Sequence, residues 1–269
     1  MTNLELVKHR KSVRTFDGEK LKEEDLKKLQ ECVENLDNPY NLDIEYRFLD
    51  AKENGLKSPV LVGENTYIAA KMKQLKGGEE AFGYSFEKFV LFAESLGLGT
   101  VWIGGTMNRD VFEQVMGVAE DEVLPCVSPI GYPAKKRSLR ENMMRKGIKA
   151  DTRKEFGEIF FENDLKSPLD PAKVSDISDA FEMVRWAPSA VNKQPWRIVK
   201  DGNNFHFYEM QSPGYVNKKG WDMQKIDMGI ALCHFEIGLK DCGKNPAFSI
   251  NDPGIAHDEN MQYIATYSI

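Results

Sequence analysis

One order of elements occurs twice along this chain, and that duplication limits its possible folds more than any other feature. In the first half, apolar residues at helical spacing (Leu21, Leu26, Leu29, Val33, Leu36) lead to Asn38-Pro39 and then to a strand-like run, Ile44-Glu45-Tyr46-Arg47-Phe48-Leu49. In the second, Leu169, Val174, Ile177, Phe181 and Val184 lead to Ala187-Pro188 and then to Trp196-Arg197-Ile198-Val199. The offsets are 148 (169 minus 21) and 149 (188 minus 39), so one small insertion separates the copies. A second match aligns Phe82-Gly83-Tyr84 through Gly97 with Met228-Gly229-Ile230 through Gly243 at an offset of 146 (229 minus 83). Both of these helices end in a glycine suited to a left-handed C-cap. Any two amphipathic helices can be aligned by eye, but several elements recurring in one order at a nearly constant offset argue for two tandem half-repeats. The expected domains are 1–148 and 149–269.

Strand-like runs at residues 43–49, 59–62, 101–103, 126–130, 196–199, 205–209 and 263–269 alternate with helices, a mixed α+β pattern. The helices at 86–96 and 226–239 are apolar nearly all round, which places them deep in a core or at a tight interface. Apolar residues make up 41% of the chain and charged ones 29%, ordinary values for a globular protein, and no apolar run approaches the length of a membrane span. The N-terminus lacks the pattern of a secretory signal, so a soluble cytoplasmic protein with no membrane partner is expected. A formal net charge of -6 argues against a dedicated nucleic-acid binder. The four cysteines (Cys32, Cys126, Cys233, Cys242) have no C-x-x-C spacing and read as reduced thiols. The four histidines are scattered, and neither H-E-x-x-H nor G-x-S-x-G occurs, so no metal centre or serine nucleophile has its usual local signature.

Two stretches carry the chemistry. Arg10-Lys11-Ser12-Val13-Arg14-Thr15-Phe16 follows a short helix opened by a capping box, Thr2-x-x-Glu5. Arg10 and Arg14 share a face if that helix continues, and Arg10, Ser12 and Arg14 share one if the segment is extended. Either geometry gathers two forked guanidinium donors and a hydroxyl, a set that suits a phosphate monoester, although a solvated basic helix end would look similar. In Ala187-Pro188-Ser189-Ala190-Val191-Asn192-Lys193-Gln194-Pro195-Trp196, Pro188 should stop the preceding helix and leave Ser189, Asn192 and Gln194 on a loop. Their neutral donors and acceptors match a heterocycle of alternating carbonyl and ring nitrogen. A plain turn explains the proline but not the run of amides.

Together, R-x-S-x-R-x-F and P-S-x-x-N-x-Q-P-W resemble the nitroreductase family of FMN enzymes. Gly97-Leu98-Gly99-Thr100-Val101-Trp102-Ile103-Gly104-Gly105 resembles that family's segment beside the reactive edge of the flavin. It is not a dinucleotide fingerprint, because Trp102 stands where the third glycine should be and the glycines follow a helix. Gly131-Tyr132-Pro133-Ala134-Lys135-Lys136-Arg137 resembles the basic segment that reaches the FMN phosphate, with a basic linker as its competitor.

The resemblance implies a nitroreductase-like α+β fold of mixed sheets flanked by helices. In ordinary members two subunits pair, and each flavin draws on the arginine motif of one and the P-S-x-x-N motif of the other. Here the first half carries the arginines but reads Pro39-Tyr40-Asn41-Leu42 at the loop, and the second carries the loop but reads Asn163-Asp164-Leu165-Lys166 before its helix. One FMN per chain is expected, in a monomer that acts as a pseudo-dimer. The implied cofactor-binding residues are Arg10, Lys11, Ser12 and Arg14; Trp102, Ile103, Gly104 and Gly105; Lys135 and Arg137; and Pro188, Ser189, Asn192 and Gln194. No side chain is expected to be catalytic in the strict sense, and no metal is expected. The implied activity is hydride transfer from NAD(P)H to the flavin and on to a small acceptor such as a nitroaromatic or quinone, with residues 64–80 and 210–222 as lids. The alternatives are a flavin-binding or regulatory protein without turnover, and a structural descendant of the fold that binds no flavin.

Overall fold

The computed structural model describes residues 1–269. In chain order it begins with α1 (Asn3–His9), α2 (Glu23–Glu34), β1 (Ile44–Asp50), β2 (Thr66–Lys73), α3 (Gly78–Ser95), β3 (Gly99–Thr100) and α4 (Arg109–Met116). It continues with β4 (Glu122–Val123), β5 (Val127–Gly131), α5 (Leu139–Gly147), α6 (Phe156–Ile159), β6 (Phe160–Glu162) and α7 (Ser178–Trp186). The last elements are β7 (Trp196–Asp201), β8 (Asn204–Met210), α8 (Met223–Asp241), β9 (Ala247–Ser249) and β10 (Met261–Ser268). Two five-stranded sheets result, the α+β class read from the sequence. The first, in the order β1-β2-β5-β3 with β4 also on β2, is antiparallel throughout. The second, β6-β7-β8-β10-β9, is antiparallel except where β6 joins β7. No helix is long and apolar enough to cross a membrane.

Contacts divide the chain into two compact units. The N-terminal unit comprises His9–Gly78 and Ser85–Ala150, and the C-terminal unit comprises Met1–Lys8, Glu79–Tyr84 and Asp151–Ile269.

In the N-terminal unit the central strand is β2, buried along almost its whole length between β1 and β5. The assignment of residues 64–80 to a lid is therefore corrected: 66–73 is core sheet. Lys71 obscured the strand in an otherwise apolar run, and it can be buried because its ammonium meets Glu122 at 2.7 Å and Glu45 at 3.2 Å. Residues 59–62 are likewise not a strand, since Leu61 N–H closes a turn on Ser58 and only Val62 bridges, to Thr15. The run expected at 101–103 lies two residues earlier, as β3, with Ile103 making a separate bridge to Val127.

The C-terminal unit packs around aromatic rings, with Phe181 edge-on to Phe160 at 4.8 Å and to Phe235 at 5.4 Å. Each such fully buried ring contributes roughly 1.5–3 kcal/mol through removal of its surface from water. The helix expected from Leu169 becomes regular only at Ser178; before it, Pro171–Ile177 is a 3₁₀ segment kinked at Val174 (φ -130°, ψ 22°). Pro171, Ser175, Asp176 and Ser178 account for this, since their side chains favour turns over a continuous helix. Pro188 ends α7 as expected, with Ala187 already extended.

The duplicated glycines have a structural counterpart. Gly97 and Gly243 both adopt positive φ, and the residues after them bond back in the same way, Leu98 N–H to Ala93 and Lys244 N–H to Leu239. In the C-terminal unit the first turns of α3 cross α8 backbone to backbone. A Cβ on Gly83 would lie 2.0 Å from the carbonyl oxygen of Ile226, and one on Gly229 would lie 2.0 Å from that of Glu80. Subtracting the offset of 146 turns Ile226 into position 80 and Gly229 into position 83, so each contact maps onto the other under the repeat offset.

Candidate functional site

After α1 ends at His9, residues 10–16 of the N-terminal unit run extended, which decides between the two geometries open to the arginine motif. Val13 and Phe16 anchor the segment by entering the core with Val101, Ile103 and Val127. Val13 needs Gly99 beneath it, because a Cβ there would approach its side chain to 2.8 Å. Val13 N–H bonds to Thr100, Phe16 N–H to Val62, and Ala134 N–H to Thr15, at 2.8–3.0 Å. One extended segment thus joins three stretches that the sequence singled out, 10–16, 97–105 and 131–137.

The two arginines do different work. Arg14 is 8% exposed, yet its Nε and Nη1 have no acceptor. Burial pushes its guanidinium pKa down, and Glu141 opposes the shift. Arg10 is also buried and its Nε likewise makes no hydrogen bond, but it is ion-paired, facing the fully buried Glu87 at 3.9 Å. Glu87 in turn accepts the indole N–H of Trp102 at 3.1 Å. The Trp102 ring is therefore aimed at Glu87 and packed on Phe86 at 4.8 Å, and Ile103 is core. Ser12 is half-buried, and Lys11 and Lys135 are exposed. Arg137 lies 3.6 Å from the buried carboxylate of Glu141. Arg109, which sequence reasoning passed over, donates to the carbonyls of Gly104, Leu124 and Pro125 and so fixes the turn at Gly104. Gly105 is exposed at the edge of a cleft of about 570 Å³ lined by residues 57–59 and 105–108.

In the C-terminal unit the loop after Pro188 is folded on itself. The Ser189 hydroxyl accepts Gln194 N–H at 2.9 Å, and Asn192 Nδ2 donates to the Thr152 carbonyl at 3.0 Å. Gln194 is buried, and its Oε1 accepts Lys154 N–H at 2.9 Å. Val191, Asn192 and Gln194 all have φ near +50°. Such backbone costs of order 1–3 kcal/mol per residue and persists only where neighbours enforce it. One enforcer is Asp227 of α8, whose two oxygens both take Ala190 N–H, at 3.0 and 3.1 Å. Burial raises the Asp227 pKa well above the usual carboxylate range, against the pull of that bond. A lone carboxylate in the apolar run Ile226-Asp227-Met228 was the signal that could have found it.

Chemically, Arg14 brings buried, unpaired donors to the N-terminal unit. A buried guanidinium with two unpaired donors is costly unless something negative meets it, and a phosphate monoester has the matching oxygens. The loop offers neutral amides and one hydroxyl that retains its proton for donation.

A family model described as "Putative TM nitroreductase" matches residues 3–239. The chain belongs to that nitroreductase family. Among solved structures, a "putative nitroreductase" from Thermotoga maritima MSB8 is 20% identical and matches with a TM-score of 0.63, covering 100% of this chain and 94% of that one, which shows a shared fold. A nitroreductase family protein from Clostridium difficile 630 is 17% identical with a TM-score of 0.45, covering 54% of this chain and 92% of that one. A nitroreductase with bound FMN from Bacteroides fragilis NCTC 9343 is 19% identical with a TM-score of 0.41, covering 51% of this chain and 91% of that one. No curated protein matches in sequence. Membership places this nitroreductase among oxidoreductases.

Proposed function

We propose that this nitroreductase binds one FMN per chain and uses it to reduce a small acceptor, such as a nitroaromatic or quinone, at the expense of NAD(P)H. The observation that carries the reading is Arg14, a buried cation with two unpaired donors on a segment that also fastens 97–105 and 131–137. Those donors fit the phosphate of FMN. In this reading Arg14 and Ser12 hold the phosphate with Arg137 beside them, and Arg10 and Lys11 contribute positive potential. Backbone at Gly104 and Gly105, kept open by the absence of side chains and fixed by Arg109, lies along the ring edge. Ser189, Asn192 and Gln194 serve the ring system, with Pro188 and Asp227 setting the loop's path.

Bound FMN supplies the redox chemistry, taking two electrons as hydride from reduced nicotinamide and passing two to an acceptor. The chain's own residues bind and orient, and none has to act as a general acid or base. Purified protein is expected to be yellow, or to become so on reconstitution with FMN, and to bleach anaerobically with NAD(P)H. Protein that takes up no FMN would end the proposal; protein that takes it up but never bleaches would leave a flavin binder without turnover.

A further inference from the structure

Thr15 stands in the arginine motif between the buried Arg14 and Phe16. Its hydroxyl accepts Ser138 N–H at 3.1 Å and donates to Glu141 Oε2 at 2.8 Å. Ser138 is the N-cap of α5, and its Oγ accepts Glu141 N–H at 3.2 Å. In an ordinary capping box the third-residue carboxylate takes the N-cap's own N–H. Here a hydroxyl from the extended segment 10–16, 123 residues away, is inserted between them. The same carboxylate oxygen takes the backbone N–H of Arg14 at 3.3 Å, and its other oxygen faces Arg137 Nε at 3.6 Å.

Glu141 is 2% exposed, and a carboxylate so buried is tolerable only where donors surround it. It finds them on two segments at once, 14–15 and 137–138. Without these bonds the turn of Lys135-Lys136-Arg137 would be held to that segment from its N-terminal side only, by Ala134 N–H on Thr15. We infer that Thr15 and Glu141 are positioning residues of the phosphate end of the site, clamping the basic turn of 135–138 to the extended segment of Arg14 so that the cationic groups face one anion. The inference rests on the FMN reading, and neither residue need touch the ligand.

The test compares FMN with riboflavin, which lacks the phosphate, by quenching of flavin fluorescence in full-length protein. Wild type should prefer FMN. Thr15→Val and Glu141→Ala should weaken FMN by about ten-fold or more, as for loss of a charge-assisted bond, and leave riboflavin unchanged. Thr15→Ser, which keeps the hydroxyl, and Glu141→Gln, which keeps an acceptor, should retain most of the preference. If Thr15→Val or Glu141→Ala does not fold, the two conservative variants still decide, because Thr15→Ser or Glu141→Gln losing the preference would overturn the clamp. So would FMN and riboflavin affinities falling together, or an FMN preference untouched in Thr15→Val and Glu141→Ala. A wild type that binds the two flavins equally would overturn the parent reading as well, so the two failures are distinguishable.

Discussion

Arg14 and Arg10 share one motif and are both buried, yet their surroundings predict different phenotypes. Arg14 has unpaired donors, so Arg14→Ala should weaken FMN by about 1.5–3 kcal/mol in a fluorescence titration, with little effect on the unfolding midpoint. An unchanged affinity would remove Arg14 from the site. Arg10 faces the buried Glu87, so Arg10→Ala should lower the urea midpoint, because it strips a buried carboxylate of its nearby cation. A midpoint equal to wild type would contradict that assignment. The two arginines were legible in the sequence because their spacing is local. Thr15 and Glu141 were not, because they act on each other from far along the chain, and Arg109 was not, because its acceptors are backbone carbonyls, which leave no mark in the residue types. Only Ser138-x-x-Glu141, a capping-box spacing just after the basic turn, pointed that way.

At the scale of elements, the close crossing of α3 and α8 leaves no room for a side chain. Gly229→Ala should destabilise the fold by about 1–3 kcal/mol, since its Cβ would overlap the Glu80 carbonyl and one helix must shift. An unaltered thermal midpoint would argue against the crossing. Beside that crossing lies a group of buried acids: Glu80 on α3, Glu209 on β8, and Asp222 and Asp227 at the start of α8, with Glu79 and Tyr215 nearby and Lys225 as the cation that faces them. Burial raises Glu80 to about 7 and Glu209 to about 8. In the unfolded chain these carboxyls ionise near pH 4.3, so the native state holds extra protons between that pH and their raised values. Their contribution to stability therefore falls as pH rises from about 4.3 through 8 and is level above, by up to about 1.4 kcal/mol per pH unit for each. Glu209→Gln should gain on wild type in urea unfolding as the pH goes from 5 to 8, and parallel curves would contradict this. Asp227→Ala should leave Ala190 N–H unpaired and weaken the loop's hold on FMN, whereas Asp227→Asn keeps an acceptor and should restore it. Elements with clear spacing were legible: the capping box at Thr2 and Glu5, the stop at Pro188 and the two glycine C-caps. β2 was missed because a buried, ion-paired lysine breaks its apolar run, and the 3₁₀ start before α7 because its apolar spacing is helical while its polar residues are not.

For the whole molecule, the compact units do not follow the order of the chain. Met1–Lys8 and Glu79–Tyr84 join Asp151–Ile269, so a fragment beginning near residue 149 would lack two pieces of its own unit and expose the apolar α8. Expressed alone, that fragment should be unfolded or aggregated by circular dichroism; a stable cooperative fold would contradict the division. The sequence made the duplication legible because the offset is nearly constant, but it could not show this exchange of segments, which depends on contacts rather than order. The central claim is the proposal that each chain binds one flavin. Its most direct test is the amount of FMN released by acid from reconstituted, desalted protein, measured against chain concentration. A ratio near one is expected, falling sharply in Arg14→Ala. A ratio near zero, or one near two, would contradict the account.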